Sequence, residues 1–216
     1  MKKKVLIGII VAVAVLIAIV AIVIVAPKIV EKGECLNYKL TKDGNYSVRR
    51  SARCICTEIV IPKTYEGITV TNIDIFAFSG CDSLTSVVIP DSVTTIDSLA
   101  FSGCTSLTSI EIPDSVTSIG WSAFSDCTSL TSIEIPDSVT DIGISAFSDC
   151  TSLTSIEIPD SVTRIGMSAF SDCTSLTTIT FEGTIEQWNA ISRGYSWNSS
   201  VPATEVVCSD GTVPLN

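Results

Sequence analysis

The sequence predicts an α/β solenoid, a stack of short coils that share one parallel β-sheet. The first observation is near-identity between neighbouring segments: residues 112–134 read IPDSVTSIGWSAFSDCTSLTSIE and residues 135–157 read IPDSVTDIGISAFSDCTSLTSIE. The second is a fixed period of 23 residues, which is also the spacing of five cysteines: Cys81, Cys104, Cys127, Cys150 and Cys173. A constant period of about 20 to 50 residues is typical of solenoids, whose units bury their apolar faces only against their neighbours.

Each coil carries its own apolar pattern. Leu130, Ile133 and Ile135 follow the pattern LxxIxI, whose final alternation predicts a half-buried strand. A turn at residues 136–138 follows, and then a second apolar pair, Val139 and Ile142. We expect the coil interior to be filled from a short helix or turn by Ala146, Phe147 and Cys150.

The N-terminal segment predicts a membrane anchor. Residues 5–26 are 22 consecutive uncharged residues, and as a helix they span about 33 Å, enough to cross a hydrocarbon core of about 30 Å. Lys2, Lys3 and Lys4 precede them, so residues 1–4 are predicted to be cytoplasmic and the repeats extracellular. A cleaved signal peptide is the alternative, but its apolar region is shorter and ends in a small-residue site. Both interpretations export residues 31–216.

The rest of the chain divides into a linker, a repeat region and two caps. Residues 27–34 are the predicted linker. Asp43 and Gly44 lie between two alternating runs, which predicts a β-hairpin cap over residues 35–60. Residues 61–181 hold the repeats. The repeat text stops at Phe181, and residues 182–216 are predicted to cover the last coil as a C-terminal cap.

The exported part is strongly acidic. Residues 31–216 contain 9 basic and 23 acidic residues, which gives a formal charge of −14. Between Cys81 and Phe181, Arg164 is the only basic residue among 13 acidic ones. Such a surface repels phosphate backbones, so we expect no nucleic-acid partner.

The repeat text resembles a known family. The pattern IPxxVxxIgxxAFxxCxxLxxI at 23-residue spacing is similar to the BspA-like, or treponemal-type, leucine-rich repeats of bacterial and some protist surface proteins. The flanking segments YEGITV at 65–70, GTIEQW at 183–188 and VCSDGTV at 207–213 resemble the family as well. The resemblance implies a right-handed leucine-rich repeat solenoid with a concave sheet. It also implies a role in adhesion or partner binding, with no catalytic residues.

The sequence favours a protein without enzymatic activity or cofactor. The chain contains no histidine, which removes the Ser-His-Asp and Cys-His nucleophile systems. Carboxylates in equivalent coils share one environment, whereas acid and base catalysis needs two groups with different pKa values. A hydrolase is therefore the weakest of the functions considered.

The cysteines of the repeat are predicted to be buried, reduced thiols. Stacked strands lie about 4.8 Å apart, slightly beyond the Cβ separation that a disulfide prefers, and a straight row does not converge on a metal. Four cysteines lie outside the repeat: Cys35, Cys54, Cys56 and Cys208. A bridge from Cys35 to either Cys54 or Cys56 would stabilise the N-terminal hairpin in an oxidising exterior.

The first candidate partner-binding surface is the outward side of the LxxIxI strands, on the predicted concave face. Three aligned glutamates on this face repel each other, which a basic protein patch or loosely held Ca²⁺ would relieve. A solvated row left by repeat duplication is the favoured interpretation. The residues of this face are Ser86, Val88, Ser109, Glu111, Ser132, Glu134, Ser155, Glu157, Thr178 and Thr180.

The second candidate surface is an exposed apolar stripe. Trp121, Ile144 and Met167 occupy one position in three successive coils, where the preceding coil has Ser98. Exposed apolar patches often mark contact sites, and Trp is a frequent anchor. Packing onto the next coil, or drift within the repeat, explains the variation equally well.

Two functions follow from these features. The first is a membrane-anchored, non-enzymatic surface module that binds an extracellular protein or glycan in adhesion or protein–protein interaction. The alternative is a structural spacer or self-assembly module, which the near-identity of the coils favours because recognition surfaces usually diversify. The variation along the stripe favours binding.

Overall fold

The structure, a computed structural model, describes residues 35–52 and 54–215. The predicted cytoplasmic tail at 1–4, the predicted transmembrane helix at 5–26 and the linker at 27–34 lie outside these residues. Among the residues that are described, no helix has the length and apolar character needed to span a membrane.

The described residues form fifteen strands and one short helix. Most strands in the repeats are two to four residues long, because each coil must turn several times within 23 residues. The elements in chain order are β1 Leu36–Leu40, β2 Tyr46–Arg50, β3 Glu58–Val60, β4 Thr64–Tyr65, β5 Ile68–Ile73, β6 Ser86–Val88, β7 Thr95–Ile96, β8 Ser118–Ile119, β9 Asp141–Ile142, β10 Ser155–Ile158, β11 Arg164–Ile165, β12 Thr178–Phe181, α1 Ile185–Ala190, β13 Ser192–Arg193, β14 Glu205–Cys208 and β15 Gly211–Pro214.

The longest sheet runs through the second apolar pair of each coil. Its strand order is β1-β2-β5-β7-β8-β9-β11-β13, with β4 paired to β5. From β5 onward along this order the strands are parallel and in register, so that Ile96, Ile119 and Ile142 lie side by side in the core. The sequence predicts the shared sheet at the LxxIxI segment, and the structure corrects this, because the continuous ladder runs through the second apolar pair.

The LxxIxI segment forms a second, interrupted ladder. Regular pairing occurs at its two ends, between β3 and β6 and along β10-β12-β14-β15. In the middle coils, isolated parallel bridges join Glu111 to Glu134 and Glu134 to Glu157. The N–H of Glu182 donates to the Ile158 carbonyl (3.0 Å), but the equivalent residue of the middle coils is a proline and cannot donate.

The repeat coils contain turns where the sequence analysis allowed a short helix. Ala146, Phe147 and Cys150 are buried as expected, but the segment that carries them consists of turns. Ser145 and Asp149 have positive φ angles of 53° and 60°, which are incompatible with a continuous right-handed helix. The α part of the predicted α/β class is therefore wrong for the repeats, and α1 is the only helix of the described residues.

A column of phenylalanine rings forms the centre of the core. The rings are nearly parallel, with interplanar angles of 2° to 9° and centroids 5.2 to 5.4 Å apart. Trp197 and then Trp188 continue the column beyond the last ring in edge contacts. Each ring thus packs against its equivalent in the next coil, and the five phenylalanines are Phe78, Phe101, Phe124, Phe147 and Phe170.

Buried polar side chains also connect each coil to the preceding one. The Cys127 thiol donates to the carbonyl of Phe101 (3.2 Å), and Cys104, Cys150 and Cys173 make the same bond. These four thiols are buried as predicted, whereas Cys81, the fifth cysteine of the repeat, is only half-buried. The cysteine position thus supplies a hydrogen bond to the neighbouring coil in addition to apolar volume.

Glycines lie where successive coils approach most closely. A Cβ at Gly143 would be 2.6 Å from the backbone of Gly120, and one at Gly166 would be 2.5 Å from the Ile144 nitrogen. A Cβ at Gly194 would be only 2.2 Å from the Met167 nitrogen. We call Gly120, Gly143, Gly166 and Gly194 the glycine column.

The N-terminal end of the solenoid is covered by a hairpin. β1 and β2 pair antiparallel, and β2 pairs with β5 in parallel. Tyr38 stacks on Tyr65 with ring centroids 3.9 Å apart, which ties the hairpin to the turn between β4 and β5. Cys35 forms a disulfide with Cys56, one of the two partners that the sequence left open.

At the C-terminal end, α1 and a second hairpin lie next to the last coil. Thr184 and Gln187 form a capping box that begins α1, and Trp188 of this helix is buried against Phe181. β14 pairs with β12 in parallel and with β15 antiparallel, so β15 ends the ladder. The domain boundaries given above remain predictions.

The close approach of the coils at the glycine column predicts that a single added methyl group will lower the stability of the protein. Gly143 has no positive φ, so Gly143→Ala tests only the collision with the Gly120 backbone. We expect the substitution to lower the free energy of unfolding by about 1 to 3 kcal/mol, as overpacking does. Urea unfolding measures it, with exposed Thr117→Ala as the control. An equal stability of the two variants would contradict the role of the column.

The thiols predict selective labelling. Side-chain hydrogen bonding with Cys104 lowers the pKa of half-buried Cys81, while burial raises the pKa of Cys127 to about 12. In the native chain we therefore expect Cys81 to react with a maleimide well before the four buried cysteines of the repeat. Peptide mapping by mass spectrometry measures the order, and urea-unfolded protein is the control. Labelling of Cys127 as fast as Cys81 would refute it.

Candidate binding surfaces

Three glutamates form a straight row on the LxxIxI side. Glu111, Glu134 and Glu157 are exposed, and their backbones pair directly across the coils. The other predicted residues of this side are exposed or half-buried along the same two outward positions. We call the three glutamates the Glu row. Like charges in register are unfavourable, so this row is suited to meet cations or a basic surface.

The Glu row has apolar ends, of which the sequence predicts Val88 as a surface residue but not Val60 and Val207. Val60 pairs with Val88 at one end, and Val207 pairs with Thr180 at the other. The three valines are all exposed. Val60 and Val207 lie in the irregular first and last coils. The sequence there does not follow the repeat pattern, so it does not align them with Glu134.

Further carboxylates surround the Glu row. A depression of 470 Å³ opens beside it and is lined by Asp91, Glu111, Asp114 and Glu134 among others. Asp91 is paired with Lys63 at 2.9 Å. Burial, followed by repulsion from Asp137 and Glu157, raises the pKa of Glu182 at the C-terminal end of this face.

In the part of the chain that the structure describes, no three carboxylates lie close enough together to share one ion. Within the described residues, the only side chains close enough to share an ion are Cys35, Cys54 and Cys56, whose sulfur atoms lie within 4.8 Å of one another. Two of these sulfurs are joined in the disulfide. The acidic side therefore offers a distributed negative charge.

The predicted apolar stripe lies on the surface. Trp121, Ile144 and Met167 are exposed by 53%, 42% and 47%. Their backbones are stacked, because Ser122 N–H donates to the Ile144 carbonyl (2.8 Å) and Ser145 N–H to the Met167 carbonyl (2.9 Å). The three side chains thus occupy equivalent places in successive coils.

The same ladder extends the stripe in both directions, to residues that the sequence analysis missed. The N–H of Ser168 donates to the carbonyl of Tyr195, which is 85% exposed. At the other end the ladder passes Ser98 and reaches Ile75, which is 51% exposed. The sequence Gly-Tyr-Ser at 194–196 could have identified Tyr195, since it matches the Gly-x-Ser motif of the repeats. We call the complete set the apolar row: Ile75, Ser98, Trp121, Ile144, Met167 and Tyr195.

The backbone after each member of the apolar row is in the left-handed region. Serine occupies this place in four coils, with φ between 50° and 55°. In the first two coils it is Phe76 (φ 57°) and Leu99 (φ 59°), and such bulky residues rarely adopt positive φ. Phe76 is also exposed, so it adds apolar surface next to Ile75. Unfavourable backbone at an exposed apolar residue is typical of functional surfaces.

A second variable position lies beside the apolar row, and the sequence analysis overlooked it. Ser118, Asp141 and Arg164 differ in coils that are otherwise nearly identical, and each lies three residues before a member of the row. The ladder β8-β9-β11 pairs them directly, and Arg164 forms an ion pair with Asp141. The structure brings both variable positions to one side of the coils. We call this side the variable face: Ser118, Trp121, Asp141, Ile144, Arg164 and Met167.

The repeated sequence and the stacked coils together identify the protein family. A family model described as the BspA type leucine rich repeat region matches residues 71–192 in six copies. The chain belongs to the BspA-type leucine-rich repeat family. This confirms the resemblance drawn from the repeat sequence. No curated protein matches the chain by sequence.

Solved structures of leucine-rich repeat proteins support the solenoid. A leucine-rich cell surface protein from Faecalibacterium prausnitzii A2-165 is 40% identical, with a TM-score of 0.66, over 73% of this chain and 40% of that one. A leucine-rich repeat protein from Bacteroides ovatus is 30% identical, with a TM-score of 0.58, over 68% of this chain and 45% of that one. The chain thus spans less than half of either protein.

A third structure has a similar length. The leucine-rich repeat protein of T. pallidum is 31% identical, with a TM-score of 0.65, over 82% of this chain and 84% of that one. Neither the family description nor the three structures names a catalytic activity.

Asp97, next to Ser98 in the apolar row, predicts a pH effect on this BspA-type solenoid. Burial, with repulsion from Asp74, raises the pKa of the Asp97 carboxyl above its ordinary 3.8. Its protonated form is therefore favoured by folding, and that contribution is lost as the pH rises through the raised pKa. We expect Asp97→Asn to stabilise the protein at neutral pH and to lose this advantage below pH 3.8.

Urea unfolding at several pH values measures the difference between the variant and the parent protein. Exposed Asp114→Asn in the next coil is the control. A stability gain for Asp97→Asn that does not change with pH would contradict the assignment.

Proposed function

We propose that this BspA-type leucine-rich repeat protein is a non-enzymatic module of the cell surface that binds another protein. The predicted helix at 5–26 would hold it in the membrane, with residues 1–4 in the cytoplasm and residues 31–216 outside. The similarity to a cell surface protein of F. prausnitzii supports this location. The apolar stretch after three lysines supports the orientation.

The variable face is the observation that carries the proposal. Residues 112–131, 135–154 and 158–177 differ at only two outward positions, which lie three residues apart in each coil. Buried positions vary little because packing constrains them, whereas exposed variation has no packing role. An exposed tryptophan among variable neighbours fits a contact surface for a protein.

The LxxIxI side is proposed as a second contact surface. Its outward residues run from Ser86 and Val88 to Thr178 and Thr180, with the Glu row between them. A basic patch on a protein would relieve the repulsion within the Glu row. A glycan is the alternative ligand class, because the same side also carries a row of hydroxyl groups.

A structural spacer or self-assembly module remains the second candidate function. The observation that favours it is the near-identity of the coil sequences. It gives an even spacing between coils and leaves most outward positions unchanged. In that case binding would be limited to further copies of the same chain.

The test is capture of a partner by the full chain with and without the apolar stripe. The variant combines Trp121→Ser, Ile144→Ser and Met167→Ser, because Ser98 already occupies the equivalent position. Proteins from the surfaces of neighbouring cells are captured on the immobilised chain, identified by mass spectrometry and titrated. We expect a partner that binds the parent chain at least about tenfold more tightly than the variant.

A second variant combines Glu111→Lys, Glu134→Lys and Glu157→Lys and tests the Glu row separately. Loss of capture in this variant alone would move the binding site to the LxxIxI side. Recovery of only the chain itself would contradict the proposal and favour the spacer. The unfolding midpoint of each variant shows whether it remains folded.

A further inference from the structure

We propose that the apolar row binds a basic amphipathic α-helix that lies along the solenoid axis, with one helical turn against each coil. The inference rests on the proposed function and names the class of partner. It uses the spacing of the coils, the charge beside the row and the extent of the exposed apolar surface.

The spacing of the coils matches the pitch of an α-helix. The phenylalanine rings lie three residues after the first five members of the apolar row, Ile75 to Met167, and repeat every 5.2 to 5.4 Å. An α-helix rises about 5.4 Å per turn. Side chains spaced three or four residues apart on a helix therefore advance in step with Trp121, Ile144 and Met167.

An extended peptide does not match this spacing. Residues on one side of a β-strand repeat every 6.6 to 6.8 Å. Over three coils such a peptide would be out of step by about 4 Å, more than half a coil. A strand along the axis would also run across the ladders of the solenoid and could not hydrogen-bond to them. The regular spacing of the row thus selects a helix.

The apolar row is long enough for a stable helix. Five coil steps separate Ile75 from Tyr195, which is about 27 Å at the spacing of the phenylalanine column, or about 18 helical residues. The row is interrupted only by Ser98. Phe76 and the half-buried Leu99 adjoin this interruption, so apolar surface continues on both sides of it.

The carboxylates that follow the row in each coil favour a basic partner. Asp126, Asp149 and Asp172 lie five residues after Trp121, Ile144 and Met167, and we call them the Asp row. Each carboxylate accepts a hydrogen bond from the preceding serine. None of the three takes part in an ion pair within the described residues. On the opposite flank, Arg164 is already paired with Asp141.

A second copy of the chain fits this surface less well. Two copies repel each other as a whole, because the exported part carries a formal charge of −14. Lysine or arginine on one flank of a helix would instead meet the Asp row while the apolar residues contact Trp121 and its equivalents. The partner class is therefore a cationic helix with one apolar stripe.

Two synthetic peptides of 18 residues test the inference. Both contain the same leucines, lysines and alanines. One places leucine at helical spacing with lysine on one flank, and the other alternates leucine as a strand would. Fluorescence anisotropy measures their binding to the full chain in one detergent preparation. We expect the helical peptide to bind at least about tenfold more tightly than the alternating one.

Two variants connect this binding to the surface. The triple serine variant of Trp121, Ile144 and Met167 should weaken binding of the helical peptide by at least about tenfold. Asp126→Asn, Asp149→Asn and Asp172→Asn together should weaken it severalfold and reduce its salt dependence. Asparagine tolerates the positive φ at these positions, so the second variant should remain folded.

Several results would overturn the inference. These are equal affinity of the two peptides, binding of the helical peptide that survives the serine substitutions, and self-association of the chain through the row in sedimentation velocity. If a protein is captured through the stripe but the helical peptide does not bind, the helical partner is wrong and the proposed function stands. If neither is observed, both are wrong.

Discussion

Direct backbone contact between successive coils is the constraint on which the rest of the structure depends. Along the glycine column, a single Cβ would lie 2.2 to 2.9 Å from the backbone of the preceding coil. At this separation the coils can stack in only one register. Each residue therefore meets its own equivalent: phenylalanine stacks on phenylalanine, and each buried cysteine donates to the same carbonyl of the coil before it.

The same register converts every surface position into a row. A single residue type in the repeat becomes a line of identical groups, which gives the Glu row on one side and the Asp row on another. This arrangement accepts repulsion between like charges, because the packing inside the coils is stronger than exposed electrostatic terms. It also means that variation at one position, as from Trp121 to Ile144 and Met167, alters a whole line of surface.

The surface chemistry of the solenoid is therefore divided by side. The LxxIxI side is acidic and rich in hydroxyl groups, with exposed valines at its ends. The apolar row and the Asp row lie elsewhere on the coils, one of them apolar and the other acidic. A partner that lies along the axis experiences a repeating surface with a period close to 5.3 Å. Such a partner can be recognised by the even spacing of the surface groups. A single pocket has no such spacing.

The sequence by itself determined the period, the family and most of the coil interior, because near-identical text repeated at 23 residues permits only stacked, equivalent units. It also identified the exposed position of Trp121. Only the tertiary structure decided where the continuous ladder runs, since Pro136 and its equivalents remove a hydrogen bond from the LxxIxI segment. It likewise paired Cys35 with Cys56 and added Ile75 and Tyr195 to the apolar row. These residues lie in irregular end coils, whose sequences depart from the repeat pattern. Only the contacts between backbones show which repeat positions they correspond to.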